Sequence, residues 1–203
     1  MLALALAPSV RLVMRAANAR WRVTPDEFLR HAAAAGASEL VRGEIRMMTP
    51  AGGAHGVIAG VLFAALSRFV DERQIGLCLP DNTGFLLPLL QDTVRSPDVA
   101  FVRADRLPPA GIGRGWMNVA PDLVVEVLSP DETPAMLEEK LSDYRAAGTR
   151  LMWVVDPVRR GVSIRRVGED DRWVSEHEAL RGEDMLDGFS MPVALLFARL
   201  ARG

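Results

Sequence analysis

The spacing of apolar residues changes along the chain between a helical and an extended pattern, which predicts a domain built from helices and strands. Apolar positions recur every three or four residues in four segments. These predicted helices cover residues 24–35, 54–74, 133–147 and 193–200. The first has Thr24, Pro25 and Glu27 in the positions of an N-terminal capping box, and Gly36 follows where the helix would end.

Short apolar runs bounded by turn residues predict strands between these helices. They cover residues 39–41, 44–48, 77–80, 85–90, 99–102, 122–128, 151–155, 161–167 and 172–177. The run 122–128 is apolar on both faces, as in a strand buried inside a sheet. A helix separates it from 151–155, and such a strand–helix–strand unit forms a parallel pair with a right-handed crossover. We therefore predict an α/β (or α+β) fold in which helices flank a mixed sheet.

The composition limits the class of protein. The chain has 203 residues, of which 49% are apolar and 25% charged, which suits one domain with its own core. We assign residues 1–23 to a loosely ordered N-terminal extension and 24–203 to a single domain. Purely apolar runs are far shorter than the roughly 20 residues that span a bilayer, so we expect no membrane partner. The single cysteine, Cys78, argues against a disulfide framework or a cysteine-rich zinc site and favours a cytoplasmic location.

The balance of charge gives a second constraint. The formal net charge is −2, whereas proteins that rely on phosphate contacts alone are usually basic. A small basic cleft on an acidic body is compatible with this balance. All but one of the 24 basic residues are Arg, and the exception is Lys140. This lysine is either an accident of composition or a position that requires a compact, titratable ammonium group.

Glu126 is the most informative residue, because it interrupts the apolar run 123–128. An ionised carboxylate inside a buried strand costs several kcal/mol unless it is paired, hydrogen-bonded or bound to a metal. One interpretation is a buried ion pair with an arginine. The other is a metal ligand or an acid–base group in a cleft.

Asp98 begins another apolar strand, directly after Pro97. Alone, it is typical of a strand-start residue that accepts turn hydrogen bonds. If its strand is the neighbour of the Glu126 strand, about 5 Å away, the two carboxylates converge into a site for a hard divalent cation such as Mg²⁺. Asp122 shares a face with Glu126 but lies about 13 Å along the strand, so we interpret it as a strand-start residue.

Three further residues are candidates for the same site. A helix packed on its own sheet could direct Lys140 at the two carboxylates, although a solvated lysine is the more common situation. Glu44 alternates with Arg42 and Arg46, and it belongs either to a site or to a solvated strand face. His55 lies at the start of the second helix, where it is either a site residue or a simple surface or capping group.

The order and spacing of these residues resemble the Uma-type endonuclease family, a bacterial branch of the PD-(D/E)XK nuclease superfamily. The resemblance extends from about Thr24 to Phe197. It is carried by LVRGE (40–44), the loop with His55, SPDVAFV (96–102), APDLVVEVLSP (120–130), KLSDY (140–144) and WVVDP (153–157).

This resemblance implies a restriction-endonuclease-like mixed central β-sheet flanked by helices, and a metal-dependent endonuclease that hydrolyses phosphodiester bonds in DNA. Asp98 and Glu126 would bind Mg²⁺ (or Mn²⁺), and Lys140 would replace the motif lysine. Glu44 would be an additional acid and His55 an accessory group.

The sequence departs from the family pattern one turn before Lys140, where the family has an acidic residue and this chain has Met136. Asp131 and Glu132 lie further upstream. The departure bears on whether the site is complete.

Two alternatives belong to other functional classes. The chain could be a catalytically inactive nuclease-like module that acts in binding or regulation, which the acidic net charge and Met136 favour. It could also be a structural dimer module in which Glu126 is buried against an arginine. A homodimer suits each interpretation, since a nuclease that cuts two strands benefits from two sites.

Overall fold

The computed structural model describes residues 22–200 and contains four α-helices and twelve strands within that range. The helices are α1 (Pro25–Ala35), α2 (Gly53–Arg73), α3 (Pro134–Ala147) and α4 (Ala194–Phe197), with a short 3₁₀ helix at Ala104–Arg106. The strands are β1 (Ser38–Val41), β2 (Glu44–Met47), β3 (Gly76–Pro80), β4 (Phe85–Leu86), β5 (Val94–Arg95), β6 (Val99–Arg103), β7 (Leu123–Val127), β8 (Leu151–Asp156), β9 (Gly161–Arg166), β10 (Arg172–Ser175), β11 (Ala179–Gly182) and β12 (Leu186–Pro192).

The largest sheet has six strands in the order β10-β9-β8-β7-β6-β3. Its neighbouring strands are antiparallel, with the exception of β7 and β8, which run parallel. The predicted parallel pair and the predicted mixed sheet are therefore confirmed. A second sheet, β2-β1-β5-β4, and the hairpin β11-β12 complete the strands that the structure describes.

Two helices cover opposite faces of the six-stranded sheet. The side chains of β7 and β8 alternate between the faces, as the two-residue period of a strand requires. On one face, Val125 and Trp153 share a core cluster with the α2 residues Ile58, Leu62, Leu66 and Val70. On the other face, Val124 and Val154 share a cluster with the α3 residues Leu137, Leu141 and Tyr144. Glu126 lies two residues after Val124 on β7, so its side chain is on the same face of the sheet and faces α3.

The N-terminal helix closes a smaller cluster around Val23, Phe28, Leu40 and Val94. The predicted capping box is present, because Thr24 and Glu27 exchange side-chain and backbone hydrogen bonds. The predicted extension lies outside the described residues except for its last two. Val23, the second of these, is buried.

The structure corrects the predicted strand 85–90, which ends at Leu86. Pro88 has no N–H for a strand ladder, and Leu89 has a left-handed φ of 68°. The C-terminal helix is shorter than predicted, and the strands β5, β11 and β12 were not predicted. β5 has only two residues, and β12 is interrupted by Gly188.

Among the described helices, α2 alone is long and apolar enough, by length and composition, to cross a membrane. Core helices of soluble proteins pass the same test. Four α2 side chains are fully buried in the cluster against the sheet: Ile58, Leu62, Leu66 and Val70.

Candidate active site

Asp98 and Glu126 lie opposite each other on neighbouring antiparallel strands. The pairing of β6 with β7 matches Val99 with Val125, and one further step in this register places Asp98 opposite Glu126. Directly opposed residues project from the same face, with Cβ atoms about 4.5–5.5 Å apart. Asp98 Oδ2 also accepts a hydrogen bond from the Val127 backbone N–H at 2.6 Å. The sheet therefore presents both carboxyl groups on its α3 face.

Helix α3 supplies two hydrogen-bond donors to Glu126, which is only 2% exposed. Lys140 Nζ donates to Oε2 at 3.1 Å, and the Tyr144 hydroxyl donates to Oε1 at 2.9 Å. The two donors are one helical turn apart and so lie on the same side of α3. Glu126 is thus held by a lysine and a tyrosine, and not by the arginine that the purely structural interpretation requires.

His55 reaches the same group of residues from the first turn of α2. Its Nε2 atom is 3.1 Å from Asp98 Oδ2. This hydrogen bond is the main cause that raises the pKa of His55, and the negative charges of Asp98 and Glu126 add to the rise. Burial of the ring and the positive charge of Lys140 lower the pKa in part. His55 therefore belongs to the same electrostatic unit as the two acids.

The buried carboxyl group of Glu126 interacts electrostatically with several other ionisable groups. The pKa of Glu126 is raised to about 8. Burial is the main cause, Lys140 opposes the rise, and the charges of Asp98, Glu39 and Glu132 add to it. For Lys140, burial alone would lower the pKa, but Glu126 and the other carboxylates outweigh burial and place the pKa above its usual value. Lys140 therefore keeps its proton at neutral pH, and a further cation beside Glu126 would favour the ionised form of its carboxyl group.

The donor set suits a magnesium-type ion. Within residues 22–200, no group of three or more His, Cys, Asp or Glu side chains is arranged to hold a metal. Mg²⁺ needs fewer protein ligands than three, because it keeps several waters and binds through one or two carboxylates together with substrate phosphates. A carboxylate offers about four lone-pair sites, so Glu126 can still accept a metal while Lys140 and Tyr144 are bonded to it. Asp98 and Glu126 are the residues that would hold the ion.

A buried ion network, which the pattern of the sequence did not predict, lies beside this cluster. Arg95 donates to Glu39 Oε2 at 2.6 Å and to Asp143 Oδ2 at 2.6 Å, and all three side chains are at most 3% exposed. Glu39 Oε1 in turn accepts the backbone N–H of Ser96 at 2.9 Å. The network therefore ties β1, the segment that leads to Asp98, and α3 to one another. The only hint in the sequence is that Glu39 directly precedes the apolar pair Leu40 and Val41 in β1.

The structure brings four of the five sequence candidates together and leaves one apart. Asp98, Glu126, Lys140 and His55 form the cluster. Glu44 is exposed at the start of β2 and makes no hydrogen bond or ion pair with those four residues. Among the acids of the N-terminal part, Glu39 instead acts electrostatically on both Glu126 and Lys140.

The acid that the family resemblance predicts one turn before Lys140 is absent, and an acid from further upstream contacts the lysine. Met136 is 52% exposed. Glu132 Oε1 lies 3.4 Å from Lys140 Nζ, the same atom that contacts Glu126. Asp122, the competing candidate, accepts hydrogen bonds from the Arg103 backbone N–H at 2.9 Å and from Arg106 at 2.6 Å. It therefore has the structural position expected of a strand-start residue.

Comparison with known proteins agrees with this arrangement. The model of a family described as "Uma2: Putative restriction endonuclease" matches residues 25–194. This chain belongs to the Uma2 family. The predicted family resemblance is thus confirmed.

A solved structure shares the fold of this Uma2 protein. It is a crystal structure from Anabaena variabilis described as "a putative nuclease belonging to DUF820". The two chains are 21% identical, with a TM-score of 0.76, and the match covers 87% of this chain and 98% of the other. The predicted restriction-endonuclease-like fold is therefore confirmed. No curated protein matches the Uma2 chain.

Proposed function

We propose that this chain is a divalent-metal-dependent endonuclease that hydrolyses phosphodiester bonds in DNA, with Asp98 and Glu126 as the ligands of Mg²⁺ or Mn²⁺. The observation that carries the proposal is the opposed pair of acids on β6 and β7, with Lys140 bonded to the more buried one. Membership of a family described as restriction endonucleases supports the class of reaction.

Each side chain of the cluster has a definable task in such a reaction. When bound, the metal polarises a phosphoryl oxygen and lowers the pKa of a bound water. Lys140 keeps its charge and donates hydrogen bonds, so it orients the attacking water or stabilises the charge that develops on the phosphate. Tyr144 fixes the orientation of the Glu126 carboxylate. His55 and the Val127 N–H fix Asp98 in the same way.

The direct test is Mg²⁺-dependent cleavage of plasmid DNA by the isosteric variants Asp98→Asn and Glu126→Gln. Each removes one negative charge without changing side-chain volume, and we expect a loss of at least about 100-fold in cleavage rate. Glu72→Gln is a matched control, because Glu72 is 54% exposed near the end of α2. Circular dichroism verifies the fold of each variant. Cleavage by both site variants at the rate of the parent would refute the proposal.

Calorimetric titration with Mn²⁺ separates the proposal from the catalytically inactive alternative. The endonuclease proposal expects binding that Asp98→Asn weakens. A chain that binds neither Mn²⁺ nor Mg²⁺ and cuts no DNA would be the binding or regulatory module.

A homodimer is part of the proposal, because two copies of a single-site nuclease can cut both strands of a duplex. Light scattering gives the mass in solution. The ratio of nicked to linear plasmid at low conversion shows whether the two cuts are coupled. Cleavage assays that compare DNA with RNA of the same sequence test the choice of substrate. The cytoplasmic location stays a prediction.

A further inference from the structure

A pocket opens on the same face of the central sheet as the candidate site. It is a cavity of about 230 Å³ between α3 and strands β8, β9 and β10. The side chains that matter for its chemistry are those of Leu128, Leu137, Val154, Arg159, Arg165 and Trp173.

The strand register connects this pocket to Glu126 along one continuous row. Glu126 is paired with Val154, Val154 with Ser163, and Ser163 with Trp173. Residues paired in this way share a face of the sheet. Three steps between neighbouring strands, each about 4.8 Å, place Trp173 about 14 Å from Glu126. The pocket and the candidate site therefore lie on the same face of the sheet, and Val154, which is paired with Glu126, lines the pocket.

An aromatic ring and an arginine form the wall of the pocket that lies furthest from Glu126. The Arg159 guanidinium carbon lies 4.0 Å from the centroid of the Trp173 ring. Gly161 leaves room for the ring, since a Cβ at that position would overlap it. The guanidinium group of Arg159 is therefore stacked over the indole ring of Trp173.

Arg159 is the one arginine of the pocket lining whose charge is not balanced within residues 22–200. Arg165 is paired with Glu138 and Asp171, and Arg172 with Glu183. Arg159 makes no salt bridge in that part of the chain.

The acidic residues of the lining are occupied by the protein itself. Asp156 accepts the backbone N–H groups of Val158 and Arg159, each at 2.9 Å, and Asp171 contacts Arg165 at 3.2 Å. Within residues 22–200, Arg159 is therefore the lining arginine whose guanidinium group has no carboxylate partner.

We infer that this pocket receives one base of the DNA strand whose phosphate lies at Asp98 and Glu126, and that the base stacks on the Trp173–Arg159 pair. The inference rests on the proposed nuclease function. Bases stack on both aromatic rings and guanidinium planes, and a neighbouring phosphate is attracted by an unpaired arginine. At the 3.4 Å rise of stacked bases, about 14 Å corresponds to about four nucleotides, and to fewer in an extended strand.

Binding without metal tests the pocket independently of catalysis. The probe is a fluorescently labelled single-stranded DNA oligonucleotide, titrated in EDTA and followed by anisotropy. We expect Trp173→Ala to weaken binding by about tenfold, and Trp173→Phe to retain most of the affinity. Arg159→Ala should weaken binding more than Arg68→Ala. The latter removes the same charge from an exposed position on α2, which packs on the opposite face of the sheet.

Two results of this titration would overturn the inference. One is parental affinity in both Trp173→Ala and Arg159→Ala. The other is an equal loss in Arg159→Ala and Arg68→Ala, which would mean that only net charge matters. Arg159→Ala and Trp173→Phe keep the test decisive if Trp173→Ala does not fold.

A scan with abasic nucleotides then locates the stacked base. A single abasic position one to five nucleotides from the cut should slow cleavage by the parent about tenfold, and should slow cleavage by Trp173→Ala no further. Sensitivity to the same abasic position in Trp173→Ala would refute the assignment. If the protein cuts no DNA at all, the nuclease proposal fails, whereas the titration in EDTA still decides whether the pocket binds a base.

Discussion

Arg95 and Asp143 form a buried ion pair that connects the segment leading to Asp98 with the helix that carries Lys140. The Arg95 Nη2 atom lies 2.6 Å from Asp143 Oδ2, and the two side chains are 2% and 1% exposed. Glu39 binds the same guanidinium group at 2.6 Å. The relative position of two proposed site residues therefore depends on a residue that contacts neither of them.

Replacing Arg95 should destabilise the protein strongly. Arg95→Leu leaves Glu39 buried without a cation and leaves Asp143 with Arg42 as its remaining partner. Removing one partner of a buried pair costs about 3–5 kcal/mol. Urea denaturation measures the loss. Arg68→Ala, which removes an exposed partner of Glu72, should leave the unfolding midpoint nearly unchanged. Equal midpoints for Arg95→Leu and the parent would show that the network does not stabilise the fold.

The pKa of His55 should depend on Asp98. The hydrogen bond to Asp98 is the main cause of its rise above the usual value of about 6.5, so Asp98→Asn should lower it. The interaction stabilises the metal-free fold fully below the unfolded-state pKa, and this contribution is lost as the pH rises through the folded-state pKa. NMR titration of the imidazole protons in EDTA checks the shift, with His177 as the internal control. An unchanged pKa of His55 in Asp98→Asn would contradict the contact.

Tyr144 should act on metal binding through Glu126. Tyr144→Phe removes the hydroxyl that donates to Oε1 at 2.9 Å and keeps the buried ring. Partners of metal ligands typically contribute about 10–100-fold to metal affinity, and we expect a loss in that range for Mn²⁺ by calorimetry. The unfolding midpoint provides the control for packing. If Tyr144→Phe binds Mn²⁺ like the parent, the hydroxyl does not orient Glu126 for a metal.

The sequence predicted those parts of the site that depend on local pattern. Glu126 is predicted as a site residue because its charge interrupts an apolar strand. Asp98 is predicted because it begins an apolar strand that could lie beside the Glu126 strand in the sheet. Both predictions need only the two-residue period of side chains along a strand and the assumption that these two strands are neighbours in the sheet. Lys140 followed from the helix that connects β7 with β8.

The parts that the sequence missed depend on contacts between distant segments. The burial of Glu39 requires β5, a strand of two residues that leaves no periodic pattern. The approach of Glu132 to Lys140 depends on how the chain turns between β7 and α3, and spacing along the helix alone pointed to Met136. Long-range pairing and turn geometry are the two features that residue spacing does not specify.

Glu132 should support Lys140 in place of the acid that the family resemblance predicts at position 136. Its carboxylate lies 3.4 Å from Lys140 Nζ, so Glu132→Gln should slow cleavage by about tenfold. Met136→Glu adds an acid one turn before Lys140, a favourable spacing for a Glu–Lys pair. The double variant should therefore recover most of the lost rate. No recovery would mean that Glu132 acts on something other than Lys140.

Two glycine substitutions should change stability in opposite directions. A Cβ at Gly161 would overlap the Trp173 ring and lie 2.8 Å from the Val174 carbonyl oxygen, which the strand pairing holds in place. Overpacking of this kind costs about 1–3 kcal/mol, so Gly161→Ala should lower the unfolding midpoint in urea. Gly60 lies inside α2, and a Cβ there meets nothing within 4 Å. Since alanine is favoured over glycine in a helix by about 0.5–1 kcal/mol, Gly60→Ala should raise the midpoint. A Gly161→Ala protein as stable as the parent would show that the Trp173 ring can move away from Gly161 without loss of stability. The sheet would then not hold the ring in its stacked position beside Arg159.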